Sequence, residues 1–312
     1  LPAIAALERV KHLAIGPARA CNGLAVHPLF AAGPDADLYL TLDEALAAGT
    51  AHVTEVSEGG HVPELRFRND GDRPVLLLDG EELVGAKQNR VLNLTILAPA
   101  RSEIVIPVSC VEHGRWAWRS RKFSAANRTL YAKARRSKME QVSFSLKQTG
   151  ERRSDQSAIW ADIARKSARM EAFSDTGAAS AMYERRAADL EEFVQGIAPE
   201  PGQVGAVFLI AGRVAGIELF GSAKALAKLY PKLVRSYGLD AIDEDRRAEG
   251  GPGEAGPDPK ALLAEVAAAR AERHKAVGLG EDLRLEAPSL VGAALVDGPE
   301  LVHLCAFARG FG

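Results

Sequence analysis

Residues 73–97 read RPVLLLDGEELVGAKQNRVLNLTIL, with two apolar runs of β type, PVLLL and LTIL, on either side of a segment dense in carboxylates, amides and cations. Asp79-Gly80 is a turn signal, because glycine accepts a positive φ without a Cβ clash. Side chains alternate along a strand. On an unbroken strand Glu81, Lys87 and Asn89 would therefore face one way, and Glu82, Gln88 and Arg90 the other. One of these sets points inward. Gly85 predicts a break or bulge, which re-aims the side chains that follow it. An unpartnered buried charge costs roughly several kcal/mol. The inward set must then form a structural network of ion pairs and amides or meet a polar ligand.

Working outward, LYLTLDEALAAG offers a short strand running into a helical turn that Gly49 stops, and the runs AHVTEV, PELRFRN, RPVLLL, RVLNLTIL and SEIVIPVSC are short, rich in β-formers and separated by turn residues. After an opening helix, the N-terminal part is expected to be an antiparallel β-rich sandwich or roll. From about Ser124 the apolar period becomes helical, with Tyr131, Ala134, Met139, Val142 and Leu146 in one stripe that Gly150 ends. A second helix begins at Ser154 or Asp155 and buries Ile159, Trp160 and Ile163; a third covers AMYERRAADLEEFVQG. APEPGQ reads as a linker. Beyond it, GAVFLIAGRVAGIELF gives two strands about Ala211-Gly212, then a helix capped by Ser222 that Pro231 should bend or restart. A flexible loop is expected near 246–258, then the helix PKALLAEVAAARAER and the strands EDLRLEA, SLVGAALVDG and ELVHLCAF. The fold class is α+β: an N-terminal antiparallel β-rich region (1–119), central basic helices (120–198) and a C-terminal antiparallel sheet with helices (203–312).

The chain has 312 residues, 47% of them apolar, enough for a substantial core. Its 39 basic and 41 acidic residues nearly balance, but unevenly: residues 115–170 hold fifteen Lys/Arg against four Asp/Glu. That segment either is a solvated helical surface or meets an anion. Three cysteines without a CxxC pair suggest neither a disulfide framework nor a zinc ribbon, and suit a reducing cytoplasm. VGAVFLIAGRVAGIELF carries Arg213 and Glu218 and falls short of a membrane span, so no membrane partner is expected. The sequence opens on Leu1 without Met, which leaves a removed leader open.

In SEIVIPVSCVEHGRWAW, Ile104, Ile106, Val108, Cys110 and Glu112 share one parity, which puts Cys110 at the end of an inward apolar row. Such a cysteine is either an inert core residue or, beside Lys87, Arg90 or His113, a nucleophile. Parity sends His113 to the other face and the spacing matches no common zinc pattern, so no metal is expected at Cys110, Glu112 and His113. The other histidines form no motif. In RWAWRSRKFSAANRTLYAKARRSK, Trp116, Trp118, Phe123 and Tyr131 interleave with cations, a composition that stacks bases and neutralises phosphates. Arg135 and Lys138 fall on or beside the apolar stripe. Arg152 and Arg153 precede a helix N-terminus, where the dipole also favours an anion. GLGEDLRL lacks the strand and helix context of a dinucleotide fingerprint, so no cofactor is specified.

The segments VSEGGHVPEL, RPVLLLDGEELVGAKQNRVLNLTILAP, IPVSCVEHGRW, RRSDQ, GQVGAVF and LVRSYGLDA resemble the ADP-ribosylglycohydrolase- and rhodanese-phosphatase-associated protein domain family, a bacterial group. The resemblance spans nearly the whole chain and implies one integrated fold. It implies an association with enzymes that remove ADP-ribose or handle phosphate, without a defined activity. The positions it marks are Glu81, Glu82, Lys87, Gln88, Asn89, Arg90, Cys110, Glu112, Arg115 and Trp116, with Asp155 and Gln156 in the SDQ stretch. Cys305 and His113 look like positions that vary.

The leading expectation is an enzyme acting on a nucleotide-like, ADP-ribosyl or phosphate-containing substrate, a hydrolase or transferase. Glu81 or Glu82 would be acid or base, Lys87 an electrostatic stabiliser and Cys110 a nucleophile, with Glu112 beside it. Gln88, Asn89, Arg90, Arg115, Trp116, Arg152, Arg153, Asp155 and Gln156 would hold an anionic, phosphate-bearing small molecule. The rivals are a non-catalytic module for a nucleotide or nucleic acid, and a scaffold partner of ADP-ribose-processing enzymes.

Overall fold

The computed structural model describes residues 2–32, 35, 37–247 and 258–311; most of the loop expected near 246–258 lies outside these. The class is α+β, with strands mostly antiparallel. The chain forms two compact units interleaved in sequence. One comprises Leu1–Asp37, Ala188–Ala276 and Gly280–Gly312, and the other Leu38–Ala187 with Val277–Leu279. This differs from a partition near residues 119 and 198. Strand pairing explains the difference: Leu24–Phe30 pairs with the distant Gln203–Ile210, while the basic helices stay in one unit with the polar cluster. Among the described residues, no helix is long and apolar enough to cross a membrane.

Among the described residues, the first unit is built on a nine-stranded sheet. Its main path runs Ala14–Ile15, Leu24–Phe30, Gln203–Ile210, Arg213–Phe220, Glu300–Ala308, Leu290–Asp297, Glu281–Glu286 and Arg270–Lys275, and Arg19–Cys21 pairs alongside Leu24–Phe30. Val207, Ile217, Leu219, Leu283, Leu285 and Leu304 form an apolar core with Ala6, Leu7, Leu262, Leu263 and Val266 from the helices. The hairpin Gln203–Ile210 to Arg213–Phe220 turns at Ala211 and Gly212, both with positive φ. Ser222 caps the helix Ala223–Arg247, which runs through Pro231 without restarting. Burial of Leu226, Leu229, Leu233 and Tyr237 outweighs the roughly 3 kcal/mol that an internal proline costs. Two expectations are corrected. ARAER is not helical, since Arg270–Lys275 pairs with Glu281–Glu286 as a strand. The helix expected over 181–196 is two, Ser180–Arg185 and Ala187–Gly196.

In the second unit, Ser102–Cys110, Glu64–Asn69, Ala51–Glu55, Phe123–Thr129, Glu81–Gly85 and Arg90–Leu92 close into a barrel, where a sandwich or roll was expected. Closure leaves no edge among these strands. Ile96–Ala98, Val75–Leu77 and Leu40–Thr41 make a small sheet whose last pair is parallel. Val53, Leu65, Phe67, Leu83, Leu92, Ile106, Val108 and Phe123 form the core. The helix Ala132–Thr149 buries Ala134, Met139, Val142 and Leu146 and ends at Gly150 in the left-handed region. Asp155 caps Gln156–Arg169 by accepting from the Ala158 amide at 3.0 Å, and Ile159 and Ile163 are buried. Trp160, expected to be buried, is only partly so.

Candidate functional site

The segment from Asp79 to Asn93 is a broken hairpin at one end of the barrel. Glu81–Gly85 and Arg90–Leu92 pair as Glu82 with Val91 and Leu83 with Arg90; Gly85 (φ 137°) and Ala86 (φ 39°) turn the chain between them. Gly85 is required there, because a Cβ would lie 2.6 Å from Ser120 Oγ and 2.7 Å from the Lys122 carbonyl. The break cancels the alternation of an unbroken strand and gathers Gln88, Asn89 and Arg90 against the end of Ser102–Cys110, where Cys110 pairs with Arg90.

Most of the cluster's hydrogen-bonding capacity is spent internally. The Asn89 amide donates to Glu112 Oε2 (3.0 Å), Thr176 donates to Oε1 (2.9 Å), and Arg115 Nε donates to Oε2 (3.0 Å). Burial alone would raise the Glu112 pKa, but these donors reverse it and hold the carboxyl below the usual range. Arg115 also donates to the Ala86 and Ala117 carbonyls, at 2.7 and 2.9 Å. Glu82 accepts from Asn89 Nδ2 at 3.2 Å and pairs with Arg128. Glu81 turns away to accept from the Leu78 amide at 3.2 Å. Gln88 bridges the group, donating to the Glu112 carbonyl (2.9 Å) and accepting from Arg90 Nη1 (3.1 Å) and Cys110 Sγ (3.1 Å). Gln156 uses both ends of its amide on the Cys110 backbone, at 2.8 and 2.7 Å.

Cys110 is fully buried, and burial pushes its thiol pKa up despite the opposing pull of Arg90. This is the environment of an inert thiol, not of an activated nucleophile. Arg135 and Lys138, which break the helical pattern, are buried on Asp79: Arg135 Nε lies 3.1 Å from its carboxylate, and Lys138 bonds it and the Leu92 and Asn93 carbonyls. That triad knits helix to barrel. Arg152 and Arg153 line a separate cleft with Pro63, Glu64, Val105, Pro107, Glu151 and Val277, and Arg153 pairs with Glu151 at 3.2 Å. Asp155 serves as a helix cap. The Arg152 backbone nevertheless reaches the segment, since its carbonyl accepts from Asn93 Nδ2 at 3.0 Å. Among the described residues, Cys110, Glu112 and His113 do not form a metal-ligating group.

One part of the cluster is unsatisfied. Arg90 is fully buried, yet among the described residues its Nε and Nη2 lack hydrogen-bond partners, as do both carboxylate oxygens of buried Glu55, whose Oε1 lies 4.0 Å from Arg90 Nη2. Burial lowers the Arg90 pKa although Cys110 and Glu55 oppose it. The Arg90 guanidinium sits 5.6 Å from the Trp116 ring centroid. Lys87 lies between two indoles, 5.3 Å from Trp116 and 5.2 Å from Trp118, and donates to the Gly59 carbonyl at 2.7 Å. Gly60 closes over this group; a Cβ there would meet Lys87, Trp116 and Glu55 at 3.2–3.4 Å. Both indoles remain 40–48% exposed, and Arg121 stacks on Trp118 at 5.0 Å.

Glu55 was missed in the sequence, although a signal existed: in AHVTE it shares the inward parity of Ala51 and Val53. A polar residue on an inward parity is the same anomaly that drew attention to residues 79–93. Thr176 and Arg128 carry no comparable signal, since only tertiary packing brings them in. Comparison with curated proteins and with solved structures finds no match. The family model of the ARG and Rhodanese-Phosphatase-superfamily-associated Protein domain matches residues 12–307, and the chain belongs to that family.

Proposed function

We propose that the barrel unit binds a nucleotide-like ligand of the ADP-ribosyl class, and that it does so as a recognition module. The observation that carries this reading is the Glu55–Arg90 pair, with four buried polar atoms that lack hydrogen-bond partners among the described residues, beside an exposed indole. A buried group in that state normally has a partner. A ribose diol supplies both roles, donating to Glu55 and accepting from Arg90. Trp116 and Trp118 offer faces for a base, and Lys87 and Arg121 supply charge for phosphate. Turnover is less well supported, because Glu82 and Glu112 are engaged by Arg128 and Arg115 and burial pushes the Cys110 thiol pKa up.

All three tryptophans belong to this unit, so titration of ADP-ribose followed by tryptophan fluorescence reads binding directly. A saturable change is expected, weakened about tenfold in Trp116→Ala, in line with the roughly 1–3 kcal/mol of a stacked base, and weakened also in Glu55→Gln. Absence of saturable binding by ADP-ribose, ADP and AMP overturns the reading. Mass spectrometry of the recovered ligand separates recognition from catalysis: intact ADP-ribose supports a binding module, and a hydrolysed product moves the assignment to an enzyme. Tighter binding of oligonucleotides, with a steep salt dependence, would move it to nucleic acid.

A further inference from the structure

A second cluster with ligating chemistry lies in the other unit, on the nine-stranded sheet. Arg213–Phe220 pairs antiparallel with Glu300–Ala308 so that Glu218 faces Cys305 and Phe220 faces His303. Alternation then projects Glu218, His303 and Cys305 from one face, while Ile217, Leu219, Leu304 and Ala306 enter the apolar core on the other. The three side chains are at most 1% exposed, and their carboxylate oxygen, imidazole nitrogen and thiol sulfur all lie within 4.8 Å of one another.

We propose that Glu218, His303 and Cys305 bind one divalent transition-metal ion of the zinc class. One oxygen, one nitrogen and one sulfur donor suit a borderline-soft ion, whereas calcium and magnesium take oxygen ligands. Zinc bonds of about 2.0–2.3 Å place tetrahedral donors roughly 3.3–3.8 Å apart. Glu218 Oε2 and the His303 ring nitrogen Nε2 are already 3.1 Å apart, so small side-chain rotations admit the ion. The other Glu218 oxygen accepts from the Tyr237 hydroxyl at 3.0 Å, and the Tyr237 ring stacks on Phe208 at 3.9 Å. This is the outer support that orients a metal-binding carboxylate. Gly216 makes it possible, since a Cβ there would stand 2.6 Å from the Tyr237 hydroxyl oxygen. On ligation Cys305 gives its thiol proton to solvent and binds as the thiolate, and three protein donors leave one tetrahedral position for water. Burial of the site couples loading to folding.

The test uses the full chain produced in medium supplemented with Zn²⁺ or with Co²⁺, followed by dialysis and elemental analysis. About one ion per chain is expected. The cobalt form should show a thiolate-to-cobalt charge-transfer band that persists in the Cys21→Ser/Cys110→Ser double variant, where Cys305 is the sole cysteine, and disappears in Cys305→Ser. Tyr237→Phe should release its metal to a chelator roughly tenfold faster. Wild-type protein that retains less than a tenth of an equivalent overturns the proposal. So does a charge-transfer band that survives in Cys305→Ser or is lost in the double variant. If Cys305→Ser fails to fold, the double variant alone decides the assignment.

Discussion

At the scale of single residues, burial determines what each charged or nucleophilic group does. Asp79 sits at 2% exposure between Arg135 and Lys138. Burial alone would raise its pKa; the two cations overcome that and hold it below the ordinary aspartate value of 3.8. A carboxyl depressed in the folded state gives stability that is fully present above its unfolded pKa and is lost as pH falls through the folded value. The contribution should therefore persist down to about pH 4 and fade only below it. Asp79→Asn should cost about 3–5 kcal/mol at neutral pH, because two buried cations lose a buried counter-charge that bonds both, and should flatten the acid limb of the stability curve. Urea denaturation at neutral pH and through the acid range measures both, and a variant of unchanged stability would show the pair to be dispensable. Cys110 calls for a different check. Its thiol is buried and shifted upward, whereas Cys21 is only half-buried, so iodoacetamide should modify Cys21 in the native protein and Cys110 only after denaturant is added. Rapid native alkylation at Cys110 would restore the nucleophile reading.

At the scale of elements, the broken hairpin is the structural origin of the polar cluster. The turn at Gly85-Ala86 puts Asn89 against Glu112 and Arg90 against Cys110, which no regular strand would do. Gly85→Ala should lower stability by about 1–3 kcal/mol, since a φ of 137° strains any side chain and the Lys122 carbonyl blocks the Cβ. Denaturant titration gives the loss; a variant matching wild type would mean that the break tolerates a regular residue. The sequence made this hairpin partly legible. Asp79-Gly80 marked its start, Gly85 marked its break, and the parity of Ile106, Val108 and Cys110 located the strand that receives it. Barrel closure was not legible, because the register that joins Arg90–Leu92 to Ser102–Cys110 depends on tertiary contacts that no local pattern encodes. The Glu218–His303–Cys305 group escaped for the same reason: cross-strand pairing assembles it, and no sequence spacing does.

At the scale of the molecule, the barrel unit is an excursion from the other unit's chain, and it includes a later return of three residues, Val277–Leu279. The return is tightly fitted. The Leu279 amide donates to the Leu97 carbonyl at 2.8 Å, and a Cβ on Gly278 would lie 2.1 Å from that same carbonyl oxygen. The carbonyl cannot yield without breaking this bond and disturbing Ile96–Ala98, which pairs with Val75–Leu77. Gly278→Val should therefore cost about 1–3 kcal/mol through overpacking. At roughly 2–4 °C per kcal/mol for a unit of this size, the unfolding midpoint should fall measurably. Trp116, Trp118 and Trp160 all lie in the barrel unit, so their fluorescence follows that unit alone, whereas far-ultraviolet circular dichroism follows both. The fluorescence midpoint should drop in Gly278→Val; if the barrel unit binds ADP-ribose as proposed, saturating ligand should recover part of the loss, because a ligand that binds only the folded unit stabilises it by mass action. An unchanged fluorescence midpoint would show that residues 277–279 only lie against the barrel unit without contributing to its stability.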